Sequence, residues 1–181
     1  MEAIESVIAQ KSKDWELIIV DDGSTDDTHE SILFYSEIKK IKYFRLDKNS
    51  GVCTARNYGI RHAQGEWIFL LDSDCILNEN SIETLIKVIE RNPEGSFHKF
   101  MVKTFSGVLM GDEIISSLKV GFKEYFRNRF AGEYTPLIKK SMMEKHPFIE
   151  GLNGGEGIVW KSIVQDAGYM SYHPNCIIKY D

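Results

Sequence analysis

Two carboxylates stand two residues apart in Asp72-Ser73-Asp74. The apolar run before them, Trp67–Leu71, predicts a buried β-strand, because successive apolar residues favour a strand covered on both faces. Open α/β sheets bind ligands at the carboxyl edge of their strands, where these aspartates would lie. Carboxylate oxygens suit Mg²⁺ or Mn²⁺, which also takes ligands from substrate phosphates. The pattern predicts a divalent cation held against a diphosphate; an acidic surface turn without metal is the alternative.

A second acidic pair, Asp21 and Asp22, ends a strand predicted over 15–20 and precedes a polar turn that contains Ser24. Carboxylates at this position can accept hydrogen bonds from a nucleobase N–H or a ribose hydroxyl. Alternatively, Asp22 and Ser24 cap the following helix, since these residue types favour caps and turns. Capping and nucleoside binding are compatible, so both roles stay open.

Arg56 and Glu156 each lie near the start of a predicted helix, over 52–63 and 156–167. The Arg56 guanidinium can support a nucleobase or neutralise the acidic edge, and a purely structural ion pair with a nearby aspartate is equally compatible. Glu156 follows two glycines and is suited to act as a general base. An acidic residue also stabilises a helix N-terminus in itself, so capping is its alternative role.

Helices and strands alternate through the first half of the chain and cease to alternate after Pro93. Such alternation predicts a parallel sheet covered on both faces. The second half predicts strands over 97–105 and 134–139 and helices over 112–129 and 156–167. We therefore predict one Rossmann-like α/β domain over 1–181, with a mostly parallel central sheet and a mixed α+β second half.

Composition bounds the classes of protein that this chain can represent. Hydrophobic residues make up 43% and charged residues 27% of the 181 residues, which is typical of a globular domain. A net charge of −5 without a long basic run gives no support to a nucleic-acid partner. The three cysteines lack zinc-site spacing, and no apolar stretch approaches the roughly 18 residues of a membrane span. We expect a cytoplasmic segment, with peripheral attachment to the inner membrane face an option through regions outside it.

Four segments in this order resemble a family 2 glycosyltransferase of the GT-A fold: Ile18–Asp26, Asn49–Gly51 with Ala55–Gly59, Gly65–Asp74, and Gly154–Glu156. The resemblance implies transfer of a hexose or N-acetylhexosamine from a nucleoside-diphosphate donor, with a UDP-sugar expected. The acceptor would be a hydroxyl of a saccharide or lipid-linked saccharide, and transfer would invert the anomeric carbon. Mn²⁺ or Mg²⁺ is the implied cofactor, and polysaccharide biosynthesis for the cell envelope is the implied setting.

The same resemblance assigns roles to individual residues. Nucleotide binding falls to five residues, Asp21, Asp22, Ser24, Arg56 and Asp72. Metal ligation falls to Asp74, helped by Asp72, with His173 as a third ligand, although a single histidine near a strand is more often structural. Glu156 would take the proton from the acceptor, and many relatives carry Glu-Asp where this chain has Glu156-Gly157. Residues 1–92 would form the nucleotide-sugar half and residues 93–181 the acceptor half.

In this family a strand and a Pro/Thr/Tyr-type loop precede the first helix, and the loop forms one wall of the nucleobase pocket. Neither occurs in this sequence, so we expect the domain either to lack the family's first strand or to have it outside the segment given. The alternative function is therefore a non-catalytic or degenerate sugar-nucleotide-binding module of the same fold. A response-regulator receiver domain is disfavoured, because a helix precedes the first strand and a receiver has no need of Gly154–Glu156.

Overall fold

The computed structural model describes residues 1–127, 130–152 and 154–180. Its first half alternates helices and strands, which confirms the α/β prediction. In chain order the elements are α1 (Glu2–Ile8), β1 (Leu17–Asp21), α2 (Thr28–Leu33), β2 (Ile41–Arg45), α3 (Val52–His62), β3 (Trp67–Phe69), β4 (Ile76–Leu77) and α4 (Ser81–Arg91). In α4, Ile82, Leu85 and Val88 recur at helical spacing and are buried.

The second half is the predicted mixture of helices and strands. Its elements are β5 (Phe97–Thr104), β6 (Leu118–Gly121), α5 (Phe122–Phe126), β7 (Tyr134–Lys139), α6 (Lys140–Lys145), α7 (Glu156–Ala167) and β8 (Tyr169–Tyr180). The predicted helix over 112–129 is wrong for most of its length, and its last two residues lie outside the described ones. Residues 118–121 form a strand because they pair with β8 and bury Val120, and such tertiary pairing outweighs local helical preference.

The strands form two sheets. β1 and β2 pair in parallel in a two-stranded sheet. The larger sheet has the order β3-β7-β5-β8-β4, with β6 also paired to β8. Within the described ranges, parallel pairing is limited to β1-β2 and β5-β8, and the other pairs are antiparallel. The sheet is thus less parallel than predicted, because β3 and β5 both pair with the oppositely directed β7.

Two hydrophobic clusters cover the two faces of the larger sheet. One joins α3 and α7 to the sheet through residues such as Ile60, Ile163 and Met170. The other joins α1 and α4 to it through Val7, Leu85 and Ile177. Within the part of the chain that the structure describes, none of the helices has the length and apolar character that membrane crossing requires.

The apolar run 67–71 lines a cleft instead of forming the fully buried strand that the sequence predicts. Only Trp67–Phe69 is a strand, and its side chains are half-buried. The facing residues Ile18–Val20 of β1 are half-buried as well. The reason is a cavity of about 1620 Å³, which β1 and β3 line from opposite sides.

His98 and His173 form a buried pair in the larger sheet. His98 Nδ1 lies 3.0 Å from His173 Nε2, and the Ser117 hydroxyl lies 3.0 Å from His173 Nδ1. Burial lowers the pKa of His173 from 6.5 to about 4. Burial, followed by the charges of His173 and Lys139, lowers the pKa of His98 from 6.5 to about 4. Both imidazoles are therefore neutral in the folded protein near neutral pH.

We predict that this pair makes the fold less stable at mildly acidic pH. The unfolded chain takes up protons below pH 6.5, whereas the folded chain does so only near pH 4, so stability is complete above 6.5 and falls below it. Between pH 7 and 5, the loss should be about 2 kcal/mol for one such imidazole. Urea unfolding across this range measures it. His98→Gln should make the free energy of unfolding depend less on pH. His62→Gln, the control at an exposed site, should leave the pH dependence unchanged. Equal pH dependence in the two variants would contradict the role of the buried pair.

Candidate active site

Asp22 fixes the start of α3 at one end of the cleft. Its Oδ1 accepts the Ser50 N–H at 2.8 Å, and its Oδ2 accepts the Gly51 N–H at 2.7 Å. Asp22 is half-buried and lines the cleft. Each carboxylate oxygen has a further lone pair, so these bonds leave Asp22 able to accept from a ligand.

Asp21 is buried and engaged within the protein. Its Oδ1 accepts the Ser24 N–H at 2.7 Å, its Oδ2 accepts the Tyr43 hydroxyl at 2.9 Å, and Arg45 Nε lies 3.5 Å from Oδ2. Burial alone raises the pKa of Asp21, but the bonds from Ser24 and Tyr43 and the Arg45 charge outweigh it and lower the pKa below its usual value. Arg45 also donates to the Ser24 carbonyl at 2.8 Å. Asp21 therefore holds the turn that carries Ser24.

The sequence analysis did not predict that residues of β2 would contact Asp21. Tyr43 and Arg45 alternate along that strand, so both side chains lie on one face of the sheet. Asp21 pairs in register with Arg45, which brings the charges together. Burial and the neighbouring Asp21 charge raise the pKa of Tyr43 to about 12, so its hydroxyl stays protonated and donates. The Tyr-x-Arg pattern of Tyr43 and Arg45, on a strand that follows the acidic strand end, could have predicted these contacts from the sequence.

Arg56 joins the end of β3 to the start of α7. Its Nη2 lies 2.8 Å from Asp72 Oδ1, and its Nη1 lies 2.8 Å from Glu156 Oε1. The guanidinium also lies over the Phe148 ring, with Cζ 5.5 Å from the ring centroid. Burial alone lowers the pKa of Arg56, but the bonds and charges of Asp72 and Glu156 raise it above its usual value. Of the partners that the sequence left open for Arg56, the structure selects Asp72 and adds Glu156.

Helix α3 also holds the loop that leads to α7. Asn57 is buried; its amide N donates to the Phe148 carbonyl at 2.9 Å, and its Oδ1 accepts the Phe148 N–H at 2.9 Å. The Cys53 thiol donates to the Leu152 carbonyl at 3.2 Å. Because these residues share one helix with Arg56, the loop and Glu156 are placed relative to the same rigid element. Cys53 and Phe148 carried no sequence signal for this role.

Gly154 and Gly155 make the turn into α7 possible. Their φ angles are 83° and 89°, in the left-handed region that glycine adopts without strain. A Cβ at Gly155 would also lie 2.5 Å from Leu152 Cδ2. Glu156 is the first residue of α7, as predicted, and its Oε2 makes no hydrogen bond to the described residues. One carboxylate oxygen is thus available to a ligand.

Asp72 and Asp74 offer carboxylates at the exposed edge beside β3. The Asp72 side chain is 58% exposed, and Asp74 is exposed and accepts the Cys75 thiol at 3.6 Å. Burial, followed by the Asp74 and Asp72 charges, raises the pKa of Cys75 to about 12, so the Cys75 thiol is protonated in the metal-free protein. The Asp74 carboxylate and the Asp72 oxygen that Arg56 does not contact fit Mg²⁺ or Mn²⁺, which keeps waters and takes phosphate oxygens.

His173 does not join these aspartates. It is buried in the sheet, and His98 and Ser117 engage both of its ring nitrogens. Across residues 1–127, 130–152 and 154–180, no group of three or more His, Cys, Asp and Glu side chains is arranged to hold a metal ion. The structure therefore places the predicted third ligand outside the candidate site.

Solved structures share the fold of this chain. TarS 1–349 of S. aureus aligns with a TM-score of 0.81 at 19% identity, over 99% of this chain and 55% of the TarS chain. Its complex with UDP-GlcNAc aligns with a TM-score of 0.80, over 98% of this chain and 53% of that one. The fold is that of the GT-A glycosyltransferases, as the sequence motifs predicted.

The particular family follows from the sequence comparison. The model of Glycosyl transferase family 2 matches residues 1–150, and the chain belongs to that family. An uncharacterized glycosyltransferase of Rickettsia conorii is 43% identical over 177 residues, or 90% of this chain and 27% of that protein. The GalNAc(5)-diNAcBac-PP-undecaprenol beta-1,3-glucosyltransferase of Campylobacter jejuni is 32% identical over 181 residues, or 92% of this chain and 56% of that protein. The chain thus spans about a quarter to a half of the length of these relatives.

We predict that Arg56 and Glu156 are energetically coupled in the folded protein. Their side chains are 17% and 33% exposed, so solvent screens the pair only in part. A double-mutant cycle with Arg56→Gln and Glu156→Gln, measured by urea unfolding, should give a coupling of about 1 kcal/mol.

The matched control is a second ion pair between α3 and the loop before α7. Arg61 and Glu150 lie 3.8 Å apart and are 55% and 51% exposed. The same cycle with Arg61→Gln and Glu150→Gln should give less than about 0.5 kcal/mol. Equal coupling in the two cycles would contradict a special role for the Arg56 bridge.

Proposed function

We propose that this chain transfers a sugar from a nucleoside-diphosphate donor, with a UDP-sugar favoured, to an acceptor hydroxyl with inversion at the anomeric carbon. Residues 1–92 supply the donor half of the domain and residues 93–181 the acceptor half. The observation that carries the proposal is the Arg56 bridge, in which one guanidinium lies 2.8 Å from both Asp72 and Glu156. Through this bridge, Asp72 and the candidate base Glu156 both contact the same side chain.

The donor nucleoside would bind at the carboxyl ends of β1 and β3. Asp22 accepts from the nucleobase or ribose, supported by the turn that Asp21 and Ser24 form, and Asp72 contributes from the opposite side of the cleft. Asp22, Arg56 and Asp72 all line the same cavity, which supports this arrangement. The TarS complex with UDP-GlcNAc makes a UDP-sugar the natural first donor to test.

Asp74 and Asp72 would hold the divalent cation. When bound, Mg²⁺ or Mn²⁺ supplies charge that stabilises the departing diphosphate. The protein's own part is to keep both carboxylates at the open edge of β3, where phosphate oxygens and waters can complete the coordination. Because His173 is buried with both ring nitrogens engaged, we leave it out of the proposed ligand set.

Glu156 would accept the proton of the attacking hydroxyl. As the acceptor oxygen forms its bond to the anomeric carbon, the bond from that carbon to the diphosphate breaks, and the proton passes to Glu156. Attack opposite the leaving group gives inversion. Arg56 fixes one oxygen of the carboxylate and leaves the other for the acceptor, so we assign Arg56 to positioning as well as to donor binding.

A saccharide carried on a lipid diphosphate is the acceptor class that we favour. The Campylobacter relative is named as a glucosyltransferase for an undecaprenol-diphosphate-linked saccharide. A relative in Escherichia coli, 26% identical over 91% of this chain and 64% of that protein, is named as a UDP-Glc-dependent enzyme for a diphosphoundecaprenol-linked sugar. Such an acceptor would bring the domain to a membrane surface, and envelope polysaccharide synthesis would be its setting.

We predict that binding and transfer can be separated by mutation. Glu156→Gln should keep UDP binding and lower sugar transfer by about 10²- to 10⁴-fold, since only the proton acceptor is lost. Asp74→Ala should remove the Mn²⁺-dependent part of UDP binding together with transfer. Calorimetry with UDP, with and without Mn²⁺, measures binding, and UDP release from UDP-glucose and UDP-GlcNAc measures turnover.

Two further variants serve as controls for the roles proposed for Glu156 and Asp74. The exposed acidic residues Asp47 and Glu144 lie on other segments, so Asp47→Asn and Glu144→Gln should behave as wild type. Wild-type transfer by Glu156→Gln would remove it as the base. UDP binding without any turnover would favour a non-catalytic sugar-nucleotide-binding module instead.

A further inference from the structure

Lys99 is a buried lysine in the middle of β5. Its exposed fraction is only 9%, and it alternates with Phe97 and Met101 on the face of the sheet that α3 and α7 cover. Both of these neighbours belong to the hydrophobic core, so Lys99 interrupts an otherwise apolar row. Lysine is almost never buried in this way unless its charge has a partner, so its presence here indicates a role other than packing.

The position of Lys99 in the sheet keeps its ammonium group inside the protein. Pro136 of β7 is in register with Lys99 on one side, and Tyr172 of β8 is in register with it on the other. Leu118 of β6 lies next to Tyr172 in the same row. Lys99 therefore lies between strands on both sides. A lysine at a sheet edge can extend its charged end into solvent, but Lys99 has no such edge beside it.

No carboxylate of the described residues balances the charge of Lys99. Its Nζ takes part in no ion pair or hydrogen bond with residues 1–127, 130–152 or 154–180. Instead it lies 5.5 Å from the ring centroid of Tyr125 and 5.9 Å from that of Phe97. Burial lowers the pKa of Lys99 from 10.5 to about 8, which leaves most of the amine charged at pH 7. Aromatic faces attract a cation but offset only part of the cost of burying it.

Two tyrosines next to Lys99 also carry hydroxyls without a partner. Neither the Tyr125 nor the Tyr172 hydroxyl makes a hydrogen bond to the described residues, whereas that of Tyr134 donates to the Asp112 carbonyl at 2.9 Å. Burial raises the pKa of Tyr125 and, together with the charges that Tyr125 and Tyr134 would carry, that of Tyr172. Both hydroxyls are therefore protonated and able to donate.

The polar ends of these three side chains are open to solvent. In the part of the chain that the structure describes, His98 Nε2 is the only side-chain nitrogen or oxygen that is fully enclosed and lacks a hydrogen-bond partner. Lys99 Nζ and the hydroxyls of Tyr125 and Tyr172 lack partners as well, so they are not fully enclosed. A cation and two hydroxyl donors without a protein acceptor are the groups that bind an oxyanion.

We propose that Lys99, Tyr125 and Tyr172 form a binding site for an oxyanion, a phosphate or carboxylate group, on the face of the sheet that α7 covers. Lys99 supplies the charge, and the two hydroxyls donate hydrogen bonds. Trp160, one turn after Glu156 on α7, packs against the same face of β5, so this oxyanion site lies on the same side of the sheet as the candidate base. A free anion and an acidic group on a saccharide present the same oxygens. The inference rests on this cluster alone and does not require sugar transfer.

Carbon-13 NMR of the lysine Cε groups tests the oxyanion site directly. Sodium phosphate is titrated into the 181-residue chain at pH 7 with EDTA present, at an ionic strength that sodium chloride keeps constant. The Lys99 signal, identified by its absence in Lys99→Met, should shift and reach saturation. Tyr125→Phe keeps the ring and removes one donor, so it should weaken phosphate binding about tenfold. Lys103→Met, the same substitution at a half-buried position on β5, should leave the Lys99 response unchanged.

Urea unfolding of the same variants supplies a second measurement. Phosphate should raise the unfolding midpoint of the wild type and of Lys103→Met, because it binds only the folded chain. Lys99→Met should lose this increase. In chloride alone Lys99→Met should have a higher midpoint than the wild type, because an apolar side chain replaces a charge without a counter-ion.

Further titrations with glucose 1-phosphate, glucuronate, acetate and glucose identify the source of the oxyanion. Tighter binding of glucose 1-phosphate than of phosphate, or of glucuronate than of acetate, would support the site and assign it to a saccharide that carries an acidic group. Saturation by phosphate or acetate alone would support it as a site for a free anion. A Lys99 signal that glucose shifts as much as phosphate does, or that no anion shifts, would overturn the proposal. So would an equal effect of phosphate on the stability of Lys99→Met and the wild type.

Discussion

The candidate site depends on one guanidinium shared by two carboxylates. Asp72 and Glu156 lie 16 and 100 residues from Arg56 in the chain, and each lies 2.8 Å from it in space. Two carboxylates this close would repel each other in a partly buried site, and the shared cation removes that penalty. The bridge therefore sets the distance between the strand end that would hold the donor and the helix start that would receive the acceptor proton.

Helix α3 is the element that makes this bridge rigid. Its N-terminus is fixed by Asp22, and its buried face holds the loop before α7 through Cys53 and Asn57. Arg56 lies between these anchors. Because one helix contacts both halves of the chain, a change in its packing would move the donor side and the acceptor side together.

The cleft and the candidate site share a boundary. Asp22, Arg56 and Asp72 line the cleft at the carboxyl ends of β1 and β3. The packing of β1 and β3 around the cleft therefore also sets the position of the proposed donor site.

The sequence alone determined those elements whose apolar spacing and terminal turn residues all lie within the element itself. The bounds of β7 and α7 follow from apolar spacing and from flanking turn residues, and the ordered motifs identified the family. Only the tertiary structure decided that β6 is a strand and that His173 is buried. It likewise decided that Leu33 and Ile38 are exposed and that Arg56 contacts Glu156. These features depend on partners distant in the chain, and neither residue type nor spacing encodes which distant group completes a strand, covers a side chain or neutralises a charge.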